Sequence, residues 1–229
     1  MSFGLSHGRD LDAAPIGVTD AELPPLPDAI GVDPRAGFLD IRRWFAHPDR
    51  PLEIEIGCGK GAFLIQQSVL QPDTNFLGIE WAREFWLYTS DRCRRRQLTN
   101  VRTLNTDASE FIHWRVPDSI VRIIHLYFSD PWPKLRHHRR RVVQDRMLVD
   151  CHRILAPGGE LRIVTDHDDY WEWMEKHFAR VEGKLYERRP FAPADSAEQG
   201  EMVGTNFERK YRREGRPFHS TVLHRLSAQ

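Results

Sequence analysis

The sequence predicts an α/β protein built on a doubly wound, mostly parallel sheet with helices on both faces. Three observations predict it. Short apolar runs alternate with helical segments from Leu52 onward, a glycine-rich turn follows the first run, and carboxylates recur where successive runs end. In open sheets of this class, ligands bind beyond the carboxyl ends of the strands, so those carboxylates are candidate ligand contacts.

The first strand is Leu52 to Ile56, ending in Gly57-Cys58-Gly59-Lys60-Gly61. A helix is expected over 62–70, where Phe63, Leu64, Gln67 and Leu70 share related faces and Pro72-Asp73 follows as a breaker. A strand over 75–79 ends at Glu80, and a helix over 83–97 carries a basic last turn that suits the helix dipole. A strand over 101–105 leads to Asp107-Ala108, and an apolar strand over 121–127 leads to Ser129-Asp130-Pro131-Trp132-Pro133. A helix over 142–155 closes at Pro157-Gly158-Gly159; a strand over 160–165 and an aromatic-rich helix over 168–178 come next. Late strands are expected at 184–188 and 218–226, with a long loop at 190–204. Before Leu52, a short helix is expected around 38–45, and residues 1–36 lack any apolar period and read as a flexible or loosely docked extension. One domain is thus expected over 37–229.

With 229 residues and 40% hydrophobic content, the chain can bury one sizeable core. No apolar run is long enough for a membrane span, and no secretion signal is expected. Cys58, Cys93 and Cys151 fall in neither disulfide-framework nor metal-ligand spacing, which suits a reducing cytoplasm; no metal is expected. The formal charge of zero hides an asymmetry. Residues 1–40 hold only Arg9 and Arg35 against seven carboxylates, so the remainder is basic. Two runs concentrate that charge: Arg92, Arg94, Arg95 and Arg96, and then Lys134, Arg136, Arg139, Arg140 and Arg141. A solvated helix face explains the first run as well as a binding role does. Local clusters are what a polyanion feels.

The glycine turn fits G-x-G-x-x-[GA] when Ala62 is counted, a pattern shared with dinucleotide sites and with simple tight turns. Glu80, 19 residues after Gly61, is placed to accept from ribose hydroxyls, which S-adenosylmethionine (SAM) and NAD both present. Glu55 favours SAM, because an acid beside the turn attracts a sulfonium and an amino group and repels a pyrophosphate. Asp107 suits an adenine amino group. Any one of these acids could equally be a strand-end residue or a helix cap.

The stretch 128–141 joins a carboxylate, rigid prolines, an aromatic ring and dense cations, which suits a nucleobase held in a pocket with arginines on neighbouring phosphates. Together these segments closely resemble the bacterial tRNA (guanine-N7-)-methyltransferase family from about Leu52 to the C-terminus. The carrying motifs are Glu55-Ile56-Gly57-Cys58-Gly59-Lys60-Gly61, Gly78-Ile79-Glu80, Thr106-Asp107-Ala108, the 129–141 segment, Thr165-Asp166-His167 and Thr205-Asn206-Phe207-Glu208. The resemblance implies a class I SAM-methyltransferase fold and transfer of a methyl group to N7 of guanine 46 in the tRNA variable loop. It implies cofactor contacts at Glu55, Gly57, Gly59, Glu80, Asp107, Ala108 and Asp130, with Asp130 also the catalytic residue. Target contacts would be Lys134, Asp166, Thr205, Asn206, Phe207 and Glu208. An RNA-binding segment would comprise Arg136, His137, His138, Arg139, Arg140 and Arg141. Thr205-x-x-Glu208 is also a capping-box pattern, compatible with a place at a pocket edge. Three rivals make different predictions: a SAM-dependent amine methyltransferase, an NAD-dependent oxidoreductase, and a non-catalytic RNA-binding protein.

Overall fold

The computed structural model describes Leu5 and residues 8–227. The chain forms two compact units, Met1–Pro117 and Asp118–Gln229.

Unit 1 holds strands β1 (Gly17–Thr19), β2 (Leu52–Ile56), β3 (Asn75–Glu80) and β4 (Val101–Asn105), and helices α1 (Ala62–Leu70), α2 (Arg83–Arg95) and α3 (Ala108–Arg115). The strands run in the order β1-β4-β3-β2, every pair parallel. All five residues of β2 are buried, as expected for a strand covered on both faces. Helix α1 turns Phe63, Leu64 and Ile65 inward, and α2 buries Trp86 and Cys93.

Three features of unit 1 differ from the sequence expectation. The stretch around 38–45 forms a 3-10 turn, Ile41–Trp44, because Asp40 caps it at the Arg42 N–H and the buried Ile41 and Phe45 anchor it. Helix α3, which no apolar period announced, starts where the Asp107 carboxylate accepts from the N–H groups of Ser109 (2.8 Å) and Glu110 (3.2 Å), and it buries Phe111 and Ile112. The extension contributes β1, which pairs with Thr103–Asn105, while Ile16 enters the core. Farther along it, the Pro24 carbonyl accepts from Arg115 (2.6 Å). Three paired residues and scattered polar anchors leave no periodic trace in a sequence.

Unit 2 holds β5 (Val121–Tyr127), α4 (Asp145–Ile154), β6 (Leu155–Thr165), α5 (Asp168–Val181), β7 (Tyr186–Arg189), α6 (Asn206–Arg213) and β8 (His219–Arg225). Its strand order is β5-β6-β8-β7, with β5 and β6 parallel and the other pairs antiparallel. Strand β6 begins at Leu155, directly after α4, with a register shift opposite Val121 and Ile123 that absorbs Pro157-Gly158-Gly159. Helix α4 begins later than its pattern suggests. Tyr170 and Trp173 take the backbone N–H and C=O of Val143, so those groups do not enter the helix. Helices α4 and α5 each bury a stripe at helical spacing: Met147, Leu148, Cys151 and Ile154 on one, Tyr170, Met174, Phe178 and Val181 on the other. Helix α6 buries only Glu208.

Candidate active site

In unit 1, Glu55, Gly57, Gly59 and Glu80 come together at the ends of β2 and β3, while Asp107 and Ala108 follow β4. Gly57, Gly59 and Gly61 all have positive φ, and Gly61 caps α1 in the left-handed conformation. A Cβ on Gly61 would lie 2.4 Å from Thr89 Cγ2, so only glycine lets α2 close on the turn. Thr89 also donates from Oγ1 to the Gly59 carbonyl (2.7 Å), a support that no sequence pattern announced. Glu80 accepts from the Gly59 N–H at Oε2 (2.8 Å) and from the Ala82 N–H at Oε1 (2.9 Å). Asn105, also unforeseen, donates to the carbonyls of Glu80 (2.8 Å) and Trp81 (3.0 Å) and fixes the end of β3.

Glu55 is 5% exposed, and its Oε2 is buried without a hydrogen-bond partner. Burial pushes its pKa up to about 8, with the nearby Glu80 charge adding to the rise. A buried, orphaned carboxylate oxygen fits a cationic amino group, which would supply the missing partner and offset the cost of ionisation. SAM carries such a group, and a Cβ on Gly57 would meet open space. The donor set therefore fits SAM. Asp107 has a structural task as the N-cap of α3, with Ala108 as the first helical residue.

Unit 2 carries the residues expected on the target side. Asp130 is exposed, and so are Lys134, Arg136, Arg139 and Arg140. Residues Leu135–Arg140 form a 3-10 helix. Trp132 stacks under the Arg140 guanidinium (4.9 Å) and meets His137 edge-on (5.8 Å). His138 packs edge-on against Trp173 (5.5 Å). Arg141 differs from its neighbours: it is buried, donates from Nε to the Pro131 carbonyl (2.8 Å) and pairs with Asp169. Its expected place in an RNA-binding surface is not what the fold gives it.

Asp166 pairs with Arg216 (2.8 Å) at the end of β6. Thr205 caps α6 by accepting the Glu208 N–H (3.0 Å). Glu208, fully buried, accepts from the N–H groups of Met202 (2.6 Å), Val203 (2.9 Å) and Gly204 (3.0 Å), and from Arg212. Expected as a target contact, Glu208 instead holds the 202–204 turn to α6, while Asn206 and Phe207 stay exposed. Among the described residues, no group of three or more His, Cys, Asp or Glu could hold a metal ion, and no helix is long and apolar enough to cross a membrane.

A family model described as "Putative methyltransferase" matches residues 49–221. A tRNA (guanine-N(7)-)-methyltransferase of Agrobacterium fabrum is 32% identical over 221 residues, covering 93% of this chain and 90% of its own. One from Nitrobacter hamburgensis is 37% identical, covering 80% of this chain and 71% of its own. The chain belongs to the tRNA (guanine-N7-)-methyltransferase family. The 16S rRNA methyltransferase KamB has a similar structure, with a TM-score of 0.55 and 17% identity, covering 90% of this chain and 96% of its own. An rRNA methylase from Streptococcus thermophilus aligns with a TM-score of 0.53 and 12% identity, covering 89% of this chain and all of its own. The fold of this methyltransferase is the class I SAM-dependent one, and SAM is its cofactor.

Proposed function

We propose that this methyltransferase transfers the methyl group of SAM to N7 of a guanine in tRNA, at position 46 in the variable loop, and that it works in the cytoplasm. The observation that carries the reading is the loop after β5. An exposed carboxylate, Asp130, precedes four exposed cations that have no carboxylate partner among the described residues. That combination suits a base presented by its own phosphate backbone.

Bound SAM supplies an electrophilic methyl group on a positive sulfonium. Glu55 would hold its amino group and Glu80 its ribose hydroxyls, with Gly57 and Gly59 allowing close approach. Asp107 and Ala108 would lie at the adenine end. Guanine N7 has a lone pair and no proton, so the reaction needs no general base. The protein's task is alignment and charge management. Holding the base in line is worth roughly 7–11 kcal/mol of barrier when reacting atoms sit about 3–3.5 Å apart. Transfer moves positive charge onto the purine, and the Asp130 carboxylate stabilises it there, also accepting from the base's N–H edge. Lys134, Arg136, Arg139 and Arg140 hold phosphates; His137 lines the same loop. Asp166, Asn206 and Phe207 flank the target side, and Thr205 and Glu208 shape the turn that carries them.

Purified protein incubated with labelled SAM and unmodified tRNA, followed by N7-specific strand cleavage, tests this reading. Cleavage at guanine 46 supports it. Label on an exocyclic amine would show an amine methyltransferase instead.

A further inference from the structure

In the sequence, Arg141 closes a uniform run of cations. In the structure it is the one member withdrawn from solvent, at 1% exposure. Its guanidinium donates from Nε to the Pro131 carbonyl and pairs through Nη2 with Asp169, and it lies 5.2 Å from the ring centres of both Tyr170 and Trp173. The Arg141 hydrogen bond is the chief cause holding the Asp169 carboxyl below its usual range. A phosphate could reach this guanidinium only by drawing it out of its buried setting.

The same turn of α5 holds the rest of the loop. The Tyr170 hydroxyl accepts from the Val143 N–H (3.3 Å) and from Ser129 Oγ (3.4 Å), and Trp173 Nε1 donates to the Val143 carbonyl (2.7 Å). Gln144 donates to the carbonyls of Arg139 (3.0 Å) and Arg141 (2.7 Å). Asp130 therefore sits between two fixed neighbours, Ser129 held by Tyr170 and Pro131 held by Arg141. Its flanks are strained: Phe128 has φ 54° and Trp132 has φ 43°, a region unfavourable for aromatic residues. Such backbone persists only where its surroundings over-determine it, and it clusters at functional sites.

We propose that Arg141 is a positioning residue for methyl transfer, fixing the Asp130–Pro131 backbone to α5 rather than binding RNA. The inference rests on the reading of Asp130 as the group that stabilises the methylated base. A fork that reaches two acceptors in different directions needs arginine geometry, which lysine lacks.

The full chain is tested as Arg141→Lys, Arg141→Gln and Asp169→Asn, with Arg140→Ala as the phosphate-contact control. Readouts are kcat, KM for tRNA, and the slope of log tRNA affinity against log salt. The proposal expects roughly tenfold or greater loss of kcat in all three loop variants, since a misplacement of about 1 Å can cost a hundredfold. KM and the salt slope stay at wild-type values in these variants. Arg140→Ala flattens the slope by about 0.7–0.9. Wild-type kcat in Arg141→Lys, or a flattened slope in Arg141→Gln, overturns the proposal. If Arg141→Gln does not fold, Arg141→Lys and Asp169→Asn decide, because Asp169 is largely exposed. Adding Arg141→Lys to Asp130→Asn separates the two readings. Normal turnover in Asp130→Asn alone removes the role of Asp130. Additive losses in the double variant show that Arg141 does not act through it.

Discussion

The two basic runs look alike as text and differ as chemistry. In the 92–96 run, Arg94 and Arg95 both pair with Asp91, itself 3% exposed, and Arg94 also reaches Asp12 in the extension. Arg92 donates to the Lys60 carbonyl and lies over the Tyr88 ring. Arg92 and Arg94 thus fasten α2 to its surroundings, while Arg95 is satisfied within the helix. In the 134–141 run, four of five cations stand exposed with no carboxylate partner among the described residues, and the fifth organises the loop from inside. The number of arginines in a window says little about polyanion binding; what matters is whether an acid already satisfies them.

The strongest way to sharpen this contrast is to remove chemistry while keeping the cations. Asp130→Asn should reduce turnover by roughly a hundredfold to a thousandfold while SAM affinity stays within a few-fold, as for loss of one preorganised transition-state contact. Single-turnover kinetics with saturating tRNA would measure it, and near-normal turnover would take Asp130 out of the reaction. Replacing Arg136, Arg139 and Arg140 together with alanine should flatten the salt slope of tRNA binding by about 2–3, since each neutralised phosphate contributes about 0.7–0.9. An unchanged slope would place the RNA elsewhere.

A pH series probes the donor end. Because the Glu55 pKa is raised to about 8, an ammonium group held there as proposed would compete with a bound proton. SAM binding should tighten between about pH 6 and pH 7.5, by at most about tenfold per unit, and Glu55→Gln should abolish the trend. Calorimetric titration would show it, and pH-independent binding by the wild type would rule out an amino-group contact at Glu55. The same shift has a stability sign. A folded-state pKa above the unfolded value gives a contribution complete at low pH and lost as pH rises through about 8, so the ligand-free protein should melt earlier as pH climbs. The smallest effect closes the comparison. Alanine at Arg94 and Arg95 should change tRNA affinity by about twofold or less and leave the salt slope intact. A slope lower by more than about 1 would make the two runs equivalent after all.

Periodicity and local chemistry exposed β2, β3, β4 and β5 in the sequence because their apolar runs end in glycine or a carboxylate. The placement of Glu55, Gly57, Gly59 and Glu80 was readable for the same reason, since all four are local to those strand ends. Residues whose job depends on partners far along the chain were not readable. Arg141 is buried by Asp169, Tyr170 and Trp173, about 30 residues later, and nothing in an arginine's neighbours announces that. Thr89 serves a turn 30 residues earlier. Strand β1 is three residues long, too short for any period to register. Asp107 shows the opposite limit. Its local signature was visible, but a cap and a ligand contact share that signature.

Helix α6 buries a single residue, Glu208, whose carboxyl gathers three N–H groups of the preceding turn, beside the Arg209 pairs with Glu198 and Glu201. Exchanging a single oxygen of that group for an amide nitrogen would set a donor against donors and leave the segment without its clasp. A helix with so little apolar burial is held by polar contacts, with this carboxyl at their centre, so sequence drift can vary its outer surface freely and its fastening hardly at all.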